Sequence, residues 1–191
     1  MGRFLNSIFG SDKNAKGFLR GEEDIVVELK DVPQSDVGAP LPVVLSNEHR
    51  VLLAYRVRER DDEWDGSYVR IVDYDSPEEP IAIVNFGHCH SFIFGAPNDE
   101  TFNGHPLYEK GLHPYGVFEV GSSSWLKTME RRNSVHEDHD PNRFHGRYKH
   151  FVFAFHDSTF ECLAEGFEVQ VGKGSIESIL SEMQRKLFER K

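Results

Sequence analysis

Residues 150–167, HFVFAFHDSTFECLAEGF, alternate so regularly that their reading decides the fold class. Successive side chains of an extended chain point to opposite faces. Phe151, Phe153 and Phe155 therefore share one side of a first strand, and Phe160, Cys162 and Ala164 one side of a second. Asp157-Ser158 between them is turn chemistry, because such side chains hydrogen-bond their own backbone. Pairing the two runs around that turn sets Phe155 opposite Phe160, Phe153 opposite Cys162 and Phe151 opposite Ala164. Partners in an antiparallel ladder point to the same side, so one face of the hairpin is wholly apolar. The other face carries His150 opposite Glu165, Ala154 opposite Glu161 and His156 opposite Thr159. A loop of even length keeps these faces, whereas an odd one inverts a strand. Cys162 thus reads as a core residue and not as a nucleophile.

Working outward, HRVLLAYRVRER (49–60) sets Val51, Leu53, Tyr55 and Val57 on one face and Arg56 and Arg58 on the other, the pattern of a half-buried strand. DDEWDG (61–66) is a turn, after which SYVRIVDY (67–74) alternates again. IAIVNF (81–86) is apolar on both faces, as expected of a central strand covered on both sides. DIVVEL (24–29), YGVFEV (115–120) and GFEVQV (166–171) supply further strands, and KDVPQSDVGAPLP (30–42) is a loop. Ser122 to Ser124 offer N-caps for a helix through about residue 133, with Trp125 and Met129 on one face. Asp140-Pro141 starts a short second helix. At the C-terminus Ser175 caps an amphipathic helix whose apolar stripe is Ile176, Ile179, Leu180, Met183, Leu187 and Phe188. These elements predict an α+β fold: a mostly antiparallel twisted sheet of about seven or eight strands, a covering C-terminal helix, one or two short internal helices, and a long excursion at 87–114.

With 191 residues the chain has material for one well-filled core, expected over 23–191 after a polar, flexible N-terminal tail at 1–22. Fifteen Phe, six Tyr and two Trp argue against disorder. No apolar run is long enough to span a membrane. The Phe4–Phe9 patch is broken by Asn6 and Ser7, which is not a signal-peptide core. Met1-Gly2 begins an acylation motif that Asn6 spoils. Cys89 and Cys162 make no disulfide framework, so the expectation is a cytoplasmic protein with both thiols reduced. A net charge of −10 repels phosphate backbones and excludes nucleic acid as an expected partner. It suits solubility, or docking on a basic protein.

Two histidine clusters are the candidates for chemistry. His88 and His90, in NFGHCHSFIFGAPNDETFNGHP (85–106), lie on one side of an extended chain. His136 and His139, in VHEDHDP (135–141), share a side of a helical turn. Neutral imidazoles bind zinc or another divalent transition metal, so convergence of the four would make a metal-dependent, hydrolytic enzyme. The spacing fits no zinc pattern, and the plainer reading is a strand end and a polar helix terminus. HDST (156–159) holds a base, an acid and a hydroxyl, but working triads are assembled across a fold, and contiguity favours a turn. In the long connection, Asn98, Asp99, His105 and Tyr108 are the polar candidates for ligand binding. Arg131 and Arg143 stand out in an acidic chain, because arginine forks hold carboxylates and phosphates.

At GHPLYEKGLHPYGVFEV (104–120), SSSWLKTMERRNSVH (122–136) and HFVFAFHDSTFECLAEGF (150–167) the chain resembles a family of uncharacterised bacterial proteins, from His49 to about Phe167. The resemblance implies a bacterial domain and no mechanism. The expected function is therefore a cytoplasmic, non-catalytic binding or interaction protein, with a small molecule or a protein as its partner. Its surface would be formed by residues 95–113 and 131–150. The alternatives are the histidine-cluster metalloenzyme and an acidic inhibitor of a basic partner.

Overall fold

The computed structural model describes residues 7–9, 23–58 and 71–189. Among them are ten strands: β1 (Ser7–Phe9), β2 (Ile25–Glu28), β3 (Val43–Ser46), β4 (Val51–Arg56), β5 (Glu79–Gly87), β6 (Ser91–Gly95), β7 (Val117–Gly121), β8 (Lys149–Ala154), β9 (Thr159–Ala164) and β10 (Gly166–Gly174). The helices are α1 (Ser124–Asn133), α2 (Pro141–Arg147) and α3 (Ile176–Phe188), with two short 3-10 turns at Phe102–Gly104 and Tyr108–Lys110. The fold is α+β and its sheets are antiparallel throughout, but the strands divide into two sheets of five. One runs β1-β10-β5-β4-β3, the other β2-β7-β8-β9-β6.

The phenylalanine hairpin shows why two sheets are needed. Strands β8 and β9 pair with Phe153 opposite Phe160, Phe151 opposite Cys162 and Lys149 opposite Ala164. That is two residues away from the register expected from the sequence. Residues 155–158 stay out of the ladder as a four-residue loop closed by the Phe155 N–H bonding the Ser158 carbonyl at 2.9 Å. An even slip leaves every side chain on its face, so Phe151, Phe153, Phe155, Phe160, Cys162 and Ala164 still form one apolar surface. That surface buries itself against Val51, Leu53 and Tyr55 of β4, Ala82, Val84 and Phe86 of β5, and Phe167 and Val169 of β10. Phe86 meets Phe153 edge-on at 5.7 Å and Phe160 at 5.2 Å, while Phe151 meets Phe167 edge-on at 4.9 Å. Edge and offset contacts of this kind suit the ring quadrupoles and add to area burial.

Both outer faces are covered as well. On the first sheet Leu52, Ala54, Ile81 and Ile83 pack against Ile176, Ile179, Met183 and Leu187 of α3. The helix starts where the sequence places it, at a Ser175 capping box. On the second sheet the chain at 102–112 lays Phe102, Leu107 and Leu112 over Phe118, Val120, Val152 and Ala154. Leu126 of α1 and Phe144 of α2 close over Leu163 beside it.

The structure differs from the sequence reading in four further places. SFIFG (91–95), read as part of an excursion, is the edge strand β6 paired with β9. VVLS (43–46) is the edge strand β3. Of SYVRIVDY, residues 71–73 form no strand, and 67–70, like the DDEWDG turn, lie outside the described residues. Within the expected tail, Ser7–Phe9 pair with Phe167–Val169, and the rest of it lies outside the described residues. No helix among the described residues is long and apolar enough to cross a membrane.

Phe160 is fully buried and touches rings of both sheets. Phe160→Ala is expected to lower unfolding free energy by about 3–5 kcal/mol in urea titration. Phe188, 74% exposed on α3, should lose no more than about 0.5 kcal/mol on the same change.

Candidate functional site

The outward face of β9 carries one carboxylate, Glu161, and the surrounding layer is organised on it. In the observed register Glu161 lies opposite Val152 and His150 opposite Leu163, so the two are diagonal neighbours on one face. The His150 ring donates through Nε2 to Glu161 Oε2 at 2.9 Å, and His105 Nε2 donates to Oε1 at 3.2 Å. The tautomers follow from the other ring nitrogens. His105 Nδ1 accepts the Leu107 N–H at 3.1 Å, so its proton sits on Nε2. Ser123 Oγ lies 2.9 Å from His150 Nδ1 and also accepts the Leu126 N–H at 3.1 Å as the N-cap of α1. Each nitrogen of the two rings and each oxygen of Glu161 thus has a partner. Burial alone would raise the Glu161 carboxyl, but the hydrogen bonds from His105 and His150 outweigh it and hold it at about 2.

Serine, histidine and carboxylate in line is the order of a nucleophilic relay. Here Ser123 is 2% exposed and its oxygen is committed to the helix cap, which leaves no approach for a substrate. The node is structural. It ties the 102–112 segment through His105, and α1 through Ser123, onto β8 and β9.

A second tie lies at the rim. The Tyr115 hydroxyl donates to Asp99 Oδ2, and Asp99 Oδ1 faces His156 Nδ1 at 3.3 Å. The Tyr115 hydrogen bond holds the Asp99 carboxyl below its usual range. The Asp99 N–H bonds the His156 carbonyl at 2.8 Å, and Thr159 Oγ1 donates to the Pro97 carbonyl at 3.0 Å. HDST is thus a turn that clamps the start of the excursion.

One member of the first histidine cluster, His90, meets His136 and His139 of the second in a cleft of about 240 Å³ between the β5–β6 turn and the α1–α2 connection. His90, Asn133, His136, Asp138, His139, Asp140, Arg143, Arg147 and Tyr148 line it, over Phe144. The His90 ring stands edge-on to Phe144 at 5.2 Å and to Tyr148 at 5.3 Å. Burial lowers its pKa and keeps the ring neutral near pH 7. His139 is engaged elsewhere: Nε2 contacts Glu130 Oε1 at 2.6 Å and Nδ1 lies 3.3 Å from the Asn133 amide. His136 Nδ1 accepts the Asp138 N–H at 3.2 Å. His88 sits exposed on left-handed backbone and does not line the cleft. Among the described residues no group of three or more His, Cys, Asp or Glu is placed to hold a metal ion. The quartet His88, His90, His136 and His139 is therefore not assembled as a ligand set.

Beside the carboxylates of Asp138 and Asp140, the cleft offers guanidinium and donor groups next to aromatic rings. Arg147 Nε donates to Glu165 at 2.5 Å and its guanidinium lies 5.3 Å from the Tyr148 ring centroid. Arg143 is exposed, and its guanidinium has no partner among the described residues. Asp140 faces away in function, since its carboxylate caps α2 through the Asn142 and Arg143 N–H groups.

The six expected binding residues thus separate. Arg143 lies in the cleft; Asn98 accepts from Thr101 N–H and hydroxyl within a turn; Asp99 is in the rim tie and His105 in the buried node. Tyr108 is 40% exposed on a 3-10 turn and Arg131 Nε reaches back to the Lys127 carbonyl, so neither joins the cleft. Sequence reasoning missed Ser123, His150 and Glu161 as a unit. The signal for two of them was present, since both fall on the non-apolar face of the hairpin. Phe144 and Tyr148 carried no such signal, because they reach the cleft through the packing of α2.

No family model, curated protein or solved structure matches this chain.

The Glu161 carboxyl is depressed in the folded state, so its stabilisation is complete above its ordinary value of 4.5 and fades as pH falls towards 2. Wild type should lose on the order of 3 kcal/mol more than Glu161→Gln across that window. Urea midpoints at several pH values measure it, and parallel curves for the two proteins would contradict the assignment.

Proposed function

We propose that this chain is a non-catalytic binding protein whose cleft takes a small anionic molecule, a carboxylate or phosphate joined to a flat apolar part. One observation carries the reading: the Arg143 guanidinium, without a partner among the described residues, lies with His90 and His136 around Phe144 and Tyr148 in a single recess. A guanidinium presents a planar fork that matches carboxylate and phosphate oxygens. His90 and His136 each engage Nδ1 locally, with the Ser91 hydroxyl and the Asp138 N–H, which leaves Nε2 of each ring for a ligand, and the aromatic edges receive an apolar group. The node at Glu161 supports the reading from behind, because it holds α1 and β8 on either side of the segment that forms the recess.

A cytoplasmic setting belongs to the same proposal and is supported by both cysteines being free thiols. So does the bacterial origin suggested by the three resembling blocks. The metalloenzyme alternative lacks a three-donor group among the described residues. The alternative of docking on a basic protein has the net charge of −10 in its favour, but the candidate recess itself carries cations.

Titrating the protein with inorganic phosphate and with benzoate, followed by amide chemical shifts, distinguishes the two anion types. At least one should saturate, with shifts centred on residues 136–148. Arg143→Ala should weaken that binding about tenfold or more, and added salt should weaken it in wild type. No saturable shift with either anion, or equal binding by Arg143→Ala, would remove the proposal.

A further inference from the structure

The chain has two cysteines, and the fold brings them together. Cys162 is on the inward face of β9, fully buried in the layer between the sheets. Cys89 lies in the turn between β5 and β6, half-buried and packed against that same cluster. The two side chains adjoin: Cys89 packs on the cluster to which Cys162 belongs, and each perturbs the titration of the other. The Cys89 thiol also reaches the Ser91 carbonyl at 3.4 Å. Neighbours across β6 and β9 follow the ladder from Ser91 opposite Leu163 onward, so Cys89 stands just before the first rung, where the chain still turns between the sheets. Its predecessor His88 has φ 43.

The two sulfurs are unequal. The hydrogen bond from Cys162 holds the Cys89 thiol below its ordinary range, and burial pushes Cys162 well up. Thiolate character and access mark the attacking partner of a redox pair, and a protected neighbour marks the resolving one. Ordinary core packing explains Cys162 alone. It gives no reason for the second of two cysteines to sit against the first.

We propose that Cys89 and Cys162 form a reversible intramolecular disulfide when the protein meets a hydroperoxide. The Cys89 thiolate attacks one oxygen of hydrogen peroxide, the O–O bond breaks, and the departing hydroxide takes a proton to leave as water. Cys89 is then a sulfenic acid. The Cys162 sulfur attacks the Cys89 sulfur, the S–O bond breaks, and the hydroxyl leaves as a second water with the Cys162 proton. Two thiols are oxidised by two electrons and one peroxide is reduced to two waters. The two side chains start in the same packed cluster, so closing the bond requires an adjustment of the β5–β6 turn to disulfide geometry. The bridge adjoins His90 but does not depend on the cleft binding anything.

The test exposes the full chain to hydrogen peroxide, then counts thiols in denaturant and maps peptides without reduction. Wild type is expected to fall from two free thiols to none, to yield a linked Cys89–Cys162 peptide in a chain of unchanged size, and to regain both thiols with dithiothreitol. Cys162→Ala should stop at a Cys89 sulfenic acid trapped by dimedone, and Cys89→Ala should leave Cys162 unreacted while circular dichroism shows it folded. Two thiols remaining in wild type would overturn the proposal. So would Cys89 passing irreversibly to the sulfinic acid with Cys162 free, or disulfide-linked dimers alone. The wild-type peptide map decides the matter even where a variant fails to fold.

Discussion

The interleaving of phenylalanine rings between the sheets is the interaction on which the other layers rest. Phe86 and Phe167 come from one sheet, Phe151, Phe153 and Phe160 from the other, and their edge contacts set how the sheets face each other. Burying five rings on inward faces leaves the strands with outward faces that are also largely apolar. Leu52, Ala54, Ile81 and Ile83 on one side, and Val120, Val152 and Leu163 on the other, cannot remain in water at this density. The covering layers are a consequence: α3 over the first sheet, and the 102–112 segment with α1 and α2 over the second.

The two covers are held by different physics. Helix α3 covers its sheet with an apolar stripe, started by the Ser175 capping box. The second cover is irregular, and irregular backbone over a core carries polar groups that need partners. Glu161 answers that need, since a single carboxylate orders two imidazoles, a serine cap and a backbone N–H. The same ordering places α1 and the connection that leads from it into α2. In this sense the candidate cleft is built on the outer polar face of β9, although Glu161 does not line it.

Much of the fold was legible because it follows local periodicity. The alternation of 150–167, the two-faced run at 81–86, the caps at Ser123, Asp140 and Ser175, and the amphipathic C-terminal stripe appear where the residues place them, except that Phe188, at the end of the stripe, is exposed. The register of β8 and β9 was less legible, because slips by two residues preserve every face and so leave the hydrophobic pattern indifferent. Choosing between them fell to contacts from outside the hairpin, where the 155–158 loop gives its His156 carbonyl to Asp99. Strand β6 was hidden for a related reason. Five residues between a histidine-rich turn and Gly95-Ala96-Pro97 look like loop until an edge of β9 is there to pair with them.

The sequence by itself determined the antiparallel α+β class, the apolar faces, the helix starts and the acidic surface, since each depends on neighbours a few residues apart. It did not determine that one sheet would become two, because an inward face and an outward face read alike when both are apolar. It offered His90, His136 and Arg143 without saying that they converge, and Cys89 and Cys162 without saying that they share one packed cluster. Those juxtapositions join residues tens of positions apart, and they arise from how whole layers pack. Tertiary structure alone decides them, because the free energy of covering the sheets is shared over many side chains and no short segment carries it.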